Sequence, residues 1–194
     1  KESLEIEEDE TLRHLQLNGF HVIVTNLQFI RPVLKVVEPF ENVRFATPDD
    51  CVSVSKLAKK EFRYNRFHSD PLIENATASR IKEEWSKNYF LGKRGNWMIV
   101  AEERNQIKGF LLLIDHQEQN KLIIDLIAVA SDCRGKGIAG KMINFAVQES
   151  LKAQSPIMVN TQISNLAAIS FYHKHGFRLV SAAYSLHYHI GTNL

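Results

Sequence analysis

Two short segments carry residue types whose spacing could do chemistry together. In the first, Asp132-Cys133-Arg134-Gly135-Lys136-Gly137-Ile138-Ala139-Gly140, glycines alternate with two cations. It follows an apolar, β-branched run that ends at Ile127-Ala128-Val129, and it opens into a helical pattern of apolar residues at Ile138, Met142, Phe145 and Ala146. Strand, glycine-rich turn and helix N-terminus together present free backbone N–H groups to a phosphate, and glycine lets the chain approach without a Cβ in the way. No Gly-Lys-Ser/Thr triplet follows, which excludes the phosphate loop of nucleotide hydrolases. Gly135-x-Gly137 lacks the third glycine of the dinucleotide fingerprint.

The second segment is Asn165-Leu166-Ala167-Ala168-Ile169-Ser170-Phe171-Tyr172-His173-Lys174-His175-Gly176-Phe177. Asn165 is a good helix N-cap and Gly176 a good terminator, with cations in the last turn, so a helix is predicted over 166–175. Asn165 and Tyr172 lie about two turns apart and therefore on nearly one face, roughly 10 Å along the axis. Ala168, which is small, lies between them. A polar group, a gap and a phenol along one helix edge could follow an extended thiol cofactor.

Taken together, the two segments resemble the GNAT superfamily of acetyl-CoA-dependent N-acyltransferases. Arg134, Gly137 and Ala139 match the family's pyrophosphate motif, Arg/Gln-x-x-Gly-x-Gly/Ala. Asn165, Ala168, Phe171, Tyr172, Gly176 and Phe177 match its second signature. The resemblance covers about residues 42–190 and implies an α/β (α+β) GNAT fold, a mixed central sheet flanked by helices. It implies that acetyl-CoA is co-substrate and that no metal is needed. Backbone groups of Ile127, Ala128 and Val129 would polarise the thioester carbonyl. The loop of Arg134, Gly135, Lys136, Gly137, Ile138 and Ala139 would hold the pyrophosphate. Asn165 would contact the pantetheine arm, and Tyr172 would protonate the leaving sulfur. Some subfamilies carry a glutamate base five residues before the Asn. Asn160 stands there, leaving His68, Asp125, Glu102 or an ordered water chain as candidates.

Arg66-Phe67-His68-Ser69-Asp70-Pro71 resembles the substrate-side loop of a subgroup related to TDP-fucosamine acetyltransferases, which act on nucleotide-linked 4-amino sugars. Arg66, Phe67 and His68 are thus candidate acceptor-binding residues for a small-molecule amine, with a guanidinium for phosphate and a ring for the base. Acetylation of a protein N-terminus or lysine, and a non-catalytic acyl-CoA-binding module, are the competing readings.

Composition sets the outer limits. Of 194 residues, 44% are hydrophobic and 24% charged, which is ordinary for a globular domain. A net charge of +2 gives no argument for nucleic acid. No apolar run reaches the length of a membrane span, and the acidic start is unlike a signal peptide. A cytoplasmic protein with Cys51 and Cys133 reduced is expected. His187 and His189 alternate onto one strand face, but no cysteine or carboxylate cluster accompanies them in sequence, so no metal site is expected. Pairing through a sheet edge into a homo-oligomer is compatible with such a fold.

The elements that must position these residues follow from periodicity. A short helix over 9–18, Gly19-Phe20 and an alternating run over 21–30 echo the later order of helix, Gly176-Phe177 and strand over 178–186. Residues 1–40 are read as an N-terminal extension or degenerate half-domain, 31–42 as a linker, and 42–194 as the main GNAT domain. Predicted within it are a strand at 43–46, a helix over 48–60 and an irregular stretch over 61–79, overlapped at its end by a helix from about 76 to 90. Strands at 97–102, 107–115 and 121–129 follow. The loop helix to about 152 and a strand at 157–162 come next, before the Asn165 helix.

Overall fold

The computed structural model describes residues 2–5, 9–33, 41–62 and 65–190. In chain order these form β1 (Glu2–Glu5), α1 (Asp9–Leu17), β2 (His21–Arg31), β3 (Val43–Phe45), α2 (Cys51–Glu61), α3 (Arg66–Ser69) and α4 (Asn75–Phe90). β4 (Trp97–Glu103), β5 (Gln106–His116), β6 (Lys121–Val129), α5 (Ile138–Ala153), β7 (Ile157–Gln162), α6 (Leu166–Lys174) and β8 (Arg178–His187) complete them. The strands make one sheet in the order β1-β8-β2-β7-β6-β5-β4-β3. Neighbours are antiparallel except β6 and β7, which run parallel.

Local chemistry explains the connections. Thr47 and Asp50 form a capping box ahead of α2, with Pro48 opening the turn where its missing N–H costs nothing. Arg104 and Asn105 both have positive φ, as a two-residue hairpin turn between β4 and β5 requires. The two helix–Gly–Phe–strand copies end as neighbours, because β2 lies between β7 and β8 and pairs with both. Residues 9–31 therefore contribute an interior strand to the same sheet. The linker expected over 31–42 falls largely on residues 34–40, outside the described residues. The stretch predicted to be irregular holds the short helix α3, capped by the Asn65 side chain on the Phe67 and His68 N–H groups.

Each sheet face buries its own core. Ile99, Leu111, Leu113, Leu122 and Ile124 pack with Met142, Ile143, Ala146 and Val147 of α5 and with Tyr172 of α6. Val100, Phe110, Leu112 and Leu126 pack with Val54 and Ala58 of α2 and Tyr89 of α4. Side chains two apart on a strand should share a face, yet Ile124 and Leu126 lie on opposite ones. The register explains why. Leu113 faces Ile124 and Leu112 faces Leu126, so Asp125 is an extra residue, a β-bulge. Bulges bend a strand and sharpen its twist, and this one falls where β6 parts from β7.

Candidate active site

β6 and β7 pair only from Leu122–Ile157 to Ile124–Val159. Beyond that point β6 stays bonded to β5 as far as Val129, and β7 stays bonded to β2 as far as Gln162. Their inner edges thus face each other unpaired across a cleft of about 490 Å³. Backbone N–H and C=O groups that leave a ladder need other partners, and here they face the cleft. Its walls include Ile127, Ala128, Val129, Arg134, Gly135, Ala139, Asn160, Asn165, Ala168 and Tyr172. Lys136, Gly137 and Ile138 belong to the same loop but do not line it.

The loop depends on backbone angles. Gly135 has φ of 78° and Gly137, the N-cap of α5, has φ of 80°. A Cβ at either would touch nothing within 4 Å, so the left-handed angle, not space, calls for glycine. Sixteen residues of α5 follow, aiming a helix N-terminus and its dipole into the loop. The Arg134 side chain folds back. Its Nη2 donates to Glu61 Oε2 at 2.6 Å and its Nε to the Val129 carbonyl at 3.3 Å. Glu61 also accepts from the Ser131 N–H at 3.2 Å. The Arg134 guanidinium therefore braces the loop against α2 and β6.

On the opposite wall, Asn165 caps α6 by accepting from the Ala168 N–H at 3.2 Å. Two turns on, Tyr172 is only 3% exposed, with its ring among Phe29, Phe171 and Phe177. Burial pushes its phenol well above the ordinary tyrosine range. No described residue hydrogen-bonds the hydroxyl.

Further along the cleft, Asp125 accepts from Trp85 Nε1 and Tyr89 Oη, each at 2.7 Å. Arg94 adds Nε at 2.5 Å and Nη2 at 2.8 Å. Burial alone would raise the Asp125 carboxyl, but Arg94, Trp85 and Tyr89 outweigh it and hold it below the usual range. Lys82, 6% exposed, joins Phe62 and Asn65 on the cleft wall, its ammonium 3.8 Å from the Trp85 ring centre.

Residues 54–177 match the acetyltransferase (GNAT) family. The chain belongs to this family. Among proteins of known description, it is 29% identical over 153 residues to spore coat polysaccharide biosynthesis protein SpsD of Bacillus subtilis (strain 168), covering 78% of this chain and 51% of that one. The chain thus spans about half the length of that relative. It is 24% identical over 135 residues to the 5-NmdU N-acetyltransferase of Pseudomonas phage PaMx11, covering 70% and 85%. A putative GNAT-family acetyltransferase from Novosphingobium aromaticivorans superposes with a TM-score of 0.62 at 18% identity, over 88% of this chain and 68% of that one. A conserved Staphylococcus epidermidis protein of unknown function does so at 0.67 and 12%, over 96% and 69%. The last two likenesses bear on the fold alone.

Against this GNAT frame, the residues expected on the acceptor side are rearranged. Arg66, Phe67 and His68 do not line the cleft. The Arg66 guanidinium stacks 4.4 Å from the Phe67 ring centre, and that ring packs between Trp85 and His187. His68 Nδ1 lies 2.7 Å from the Asn65 amide nitrogen and Nε2 lies 3.2 Å from Ser79 Oγ. An amide N–H can only donate, so Nδ1 accepts and Nε2 carries the proton. Burial first, then Lys82, lowers the His68 pKa, and both ring nitrogens are engaged. Glu102 is ion-paired with Arg44 and does not line the cleft. Asn160 does line it, and its amide oxygen accepts from Gln28 at 3.3 Å.

Sequence reasoning missed Glu61, Lys82 and the ligands of Asp125, since no local pattern marks them. It also read His187 and His189 as lacking a carboxylate neighbour. That reading is corrected, because folding brings Asp70 against both.

Proposed function

We propose that the protein transfers acetyl from acetyl-CoA to a small-molecule primary amine by direct attack, with Tyr172 as general acid. The observation that carries this reading is the split between β6 and β7, with a buried phenol in one wall and a glycine-rich helix N-terminus at the other. These residues fit acetyl-CoA: unpaired strand edges for the pantetheine amides, positive-φ glycines for the pyrophosphate, and a phenol with no hydrogen-bond partner among the described residues.

Acetyl-CoA supplies an activated thioester. A backbone N–H on the free edge of β6, at Ile127–Val129, polarises its carbonyl oxygen in an oxyanion-hole role. The amine nitrogen bonds to the carbonyl carbon as the carbon–sulfur bond breaks. Tyr172 gives its proton to the departing sulfur, and the proton lost by the amine restores the phenol through water. A phenol is protonated at neutral pH even at its ordinary pKa of about 10, and burial raises that of Tyr172 further. The same burial disfavours a naked thiolate, so the sulfur draws the proton as it leaves.

With Asp125 held by donors from three residues, His68 engaged at both ring nitrogens and Glu102 elsewhere, an acceptor amine of low pKa or a water chain serves in place of a protein base. An amine near pKa 8, about that of an α-amino group, is already partly neutral at pH 7.

We assign the acceptor to the class of nucleotide-linked 4-amino sugars. The names of the relatives, a polysaccharide biosynthesis protein and an N-acetyltransferase of 5-NmdU, support a small amine built on a sugar or nucleoside. Phe62, Asn65 and Lys82, rather than Arg66 to His68, are then the acceptor wall. Release of thiol from acetyl-CoA, measured with amino sugar nucleotides, polyamines and peptides, tests this. Turnover with the sugar nucleotides is expected. A preference for peptides would move the acceptor class, and acetyl-CoA binding without turnover of any amine would leave only a binding module.

A further inference from the structure

One cluster of titratable side chains lies outside the cleft. Asp70 caps the C-terminus of α3, His187 ends β8 and His189 follows two residues later. Asp70 is separated from the two histidines by 117 and 119 residues in sequence, so their meeting is a product of the fold. Asp70 Oδ2 lies 2.5 Å from His187 Nδ1 and 2.8 Å from His189 Nε2. The Asp70 side chain has 0% exposure, against 11% and 22% for the two histidines. Its other oxygen, Oδ1, accepts from the Leu72 N–H at 2.9 Å.

Two imidazoles aimed at a single carboxylate oxygen make a crowded hydrogen-bond set, and it requires His187 as the Nδ1–H tautomer. The same three groups make an ordinary metal-binding set once the ring protons are replaced by a cation. The candidate ligand atoms all lie within 4.8 Å of one another. Ligand atoms about 2.1 Å from a tetrahedral zinc are about 3.4 Å apart, so an ion need part Asp70 Oδ2 from each ring nitrogen by only about 1 Å or less from the 2.5 and 2.8 Å they now have. The Leu72 N–H orients the carboxylate from behind, as an outer-shell donor does in metal sites.

We propose that Asp70, His187 and His189 form a binding site for a divalent transition-metal ion, with Zn²⁺ the best match to two imidazoles and one carboxylate. Mixed imidazole and carboxylate ligands suit zinc better than magnesium or calcium. The ion clamps the end of α3 to the end of β8. Phe67 packs against both His187 and Trp85, and Trp85 donates to Asp125 in the cleft. The clamp therefore holds the layer behind the acceptor wall and takes no part in bond making.

The test uses the full chain stripped with chelator, then titrated with Zn²⁺ alone, with Mg²⁺ as control. Bound metal is counted by mass spectrometry and Tm is followed. The comparison protein is the double variant His187→Asn, His189→Gln, whose amide N–H groups can still donate to Asp70 but which lacks both imidazole ligands. The wild type is expected to retain one zinc per chain and to gain about 4 °C or more in Tm at saturation. The variant is expected to lose both effects, and Mg²⁺ to have none. Zinc that leaves Tm unchanged, or is retained equally by the variant, would overturn the site. If the variant does not fold, Co²⁺ in the wild type decides. Intense visible bands of tetrahedral cobalt support the site, and the weak spectrum of the hexa-aquo ion refutes it.

Discussion

The two ends of the cleft are built by different means. The end proposed for the cofactor is made of backbone: unpaired strand edges, two glycines at positive φ and the N-terminus of α5. The end proposed for the acceptor is made of side chains that arrive from far apart in sequence. Asp125 is held by Trp85, Tyr89 and Arg94, which are 31 to 40 residues away. Lys82 lies on Trp85, and Phe67 packs between Trp85 and His187. A backbone cradle suits a ligand that does not vary, while a side-chain wall can be re-cut for each acceptor. Substitutions at the first end should alter handling of acetyl-CoA. Those at the second should alter stability or acceptor choice.

Tyr172 tests the division most severely, because it lines the proposed cofactor wall and is also the proposed acid. Tyr172→Phe keeps the ring among Phe29, Phe171 and Phe177 and removes only the hydroxyl. We expect kcat to fall by about 100-fold or more, the usual worth of a positioned acid, with little change in the Kd for acetyl-CoA. An unchanged kcat would remove Tyr172 from the acid role and leave the cofactor wall purely a binding surface.

Asp125→Asn probes the other end. It leaves Arg94 without its counter-charge. Loss of a buried pair costs about 3–5 kcal/mol, but the Arg94 side chain is 34% exposed and water screens part of the loss. About 2 kcal/mol is expected, lowering Tm by about 4–8 °C. The Asp125 pKa is depressed by folding, so its stabilisation is present above the unfolded value of about 3.9. It is lost as pH falls through the lower folded value. The Tm gap between wild type and variant should therefore be full at neutral pH and close in acid. A gap that widened in acid would contradict an ionised Asp125.

This asymmetry also accounts for what was legible in the sequence. β6 and β7 fall where the apolar runs predict them, and α5 and α6 begin at Gly137 and Asn165, whose cap chemistry is local. The bulge at Asp125 was not legible, since Leu122, Ile124 and Leu126 alternate as they would in a regular strand. Only the pairing with β5 reveals the change of face. Arg66, Phe67 and His68 are the right residue types in the right neighbourhood, but capping by Asn65 turns them into a short helix behind the wall. The Asp70 cluster was missed because its histidines and its carboxylate meet only after β8 has crossed back beside β2.

Gly137→Ala sharpens the account of the cofactor end. The substitution has room but must hold a left-handed angle, at a cost of roughly 1–2 kcal/mol. If the strain is relieved by moving the loop, KM for acetyl-CoA rises by about 10-fold while kcat and the acceptor KM hold. An equal rise in the acceptor KM would mean that the two ends are not separable.

The finest test lies where the two ends meet. Glu61 belongs to α2, lines the cleft and holds the Arg134 side chain. Glu61→Gln keeps an acceptor for Arg134 but removes the charge. With Arg134 58% exposed, an ion pair of this kind is worth about 0.2–1 kcal/mol. The KM for acetyl-CoA should therefore rise no more than about 5-fold, and the difference should shrink at high salt. Bracing of the loop predicts that kcat keeps its pH profile. A fall in kcat at unchanged KM, with loss of an ionisation from the pH–rate profile, would instead make Glu61 the base that Asn160 cannot be. The acceptor end would then begin at α2.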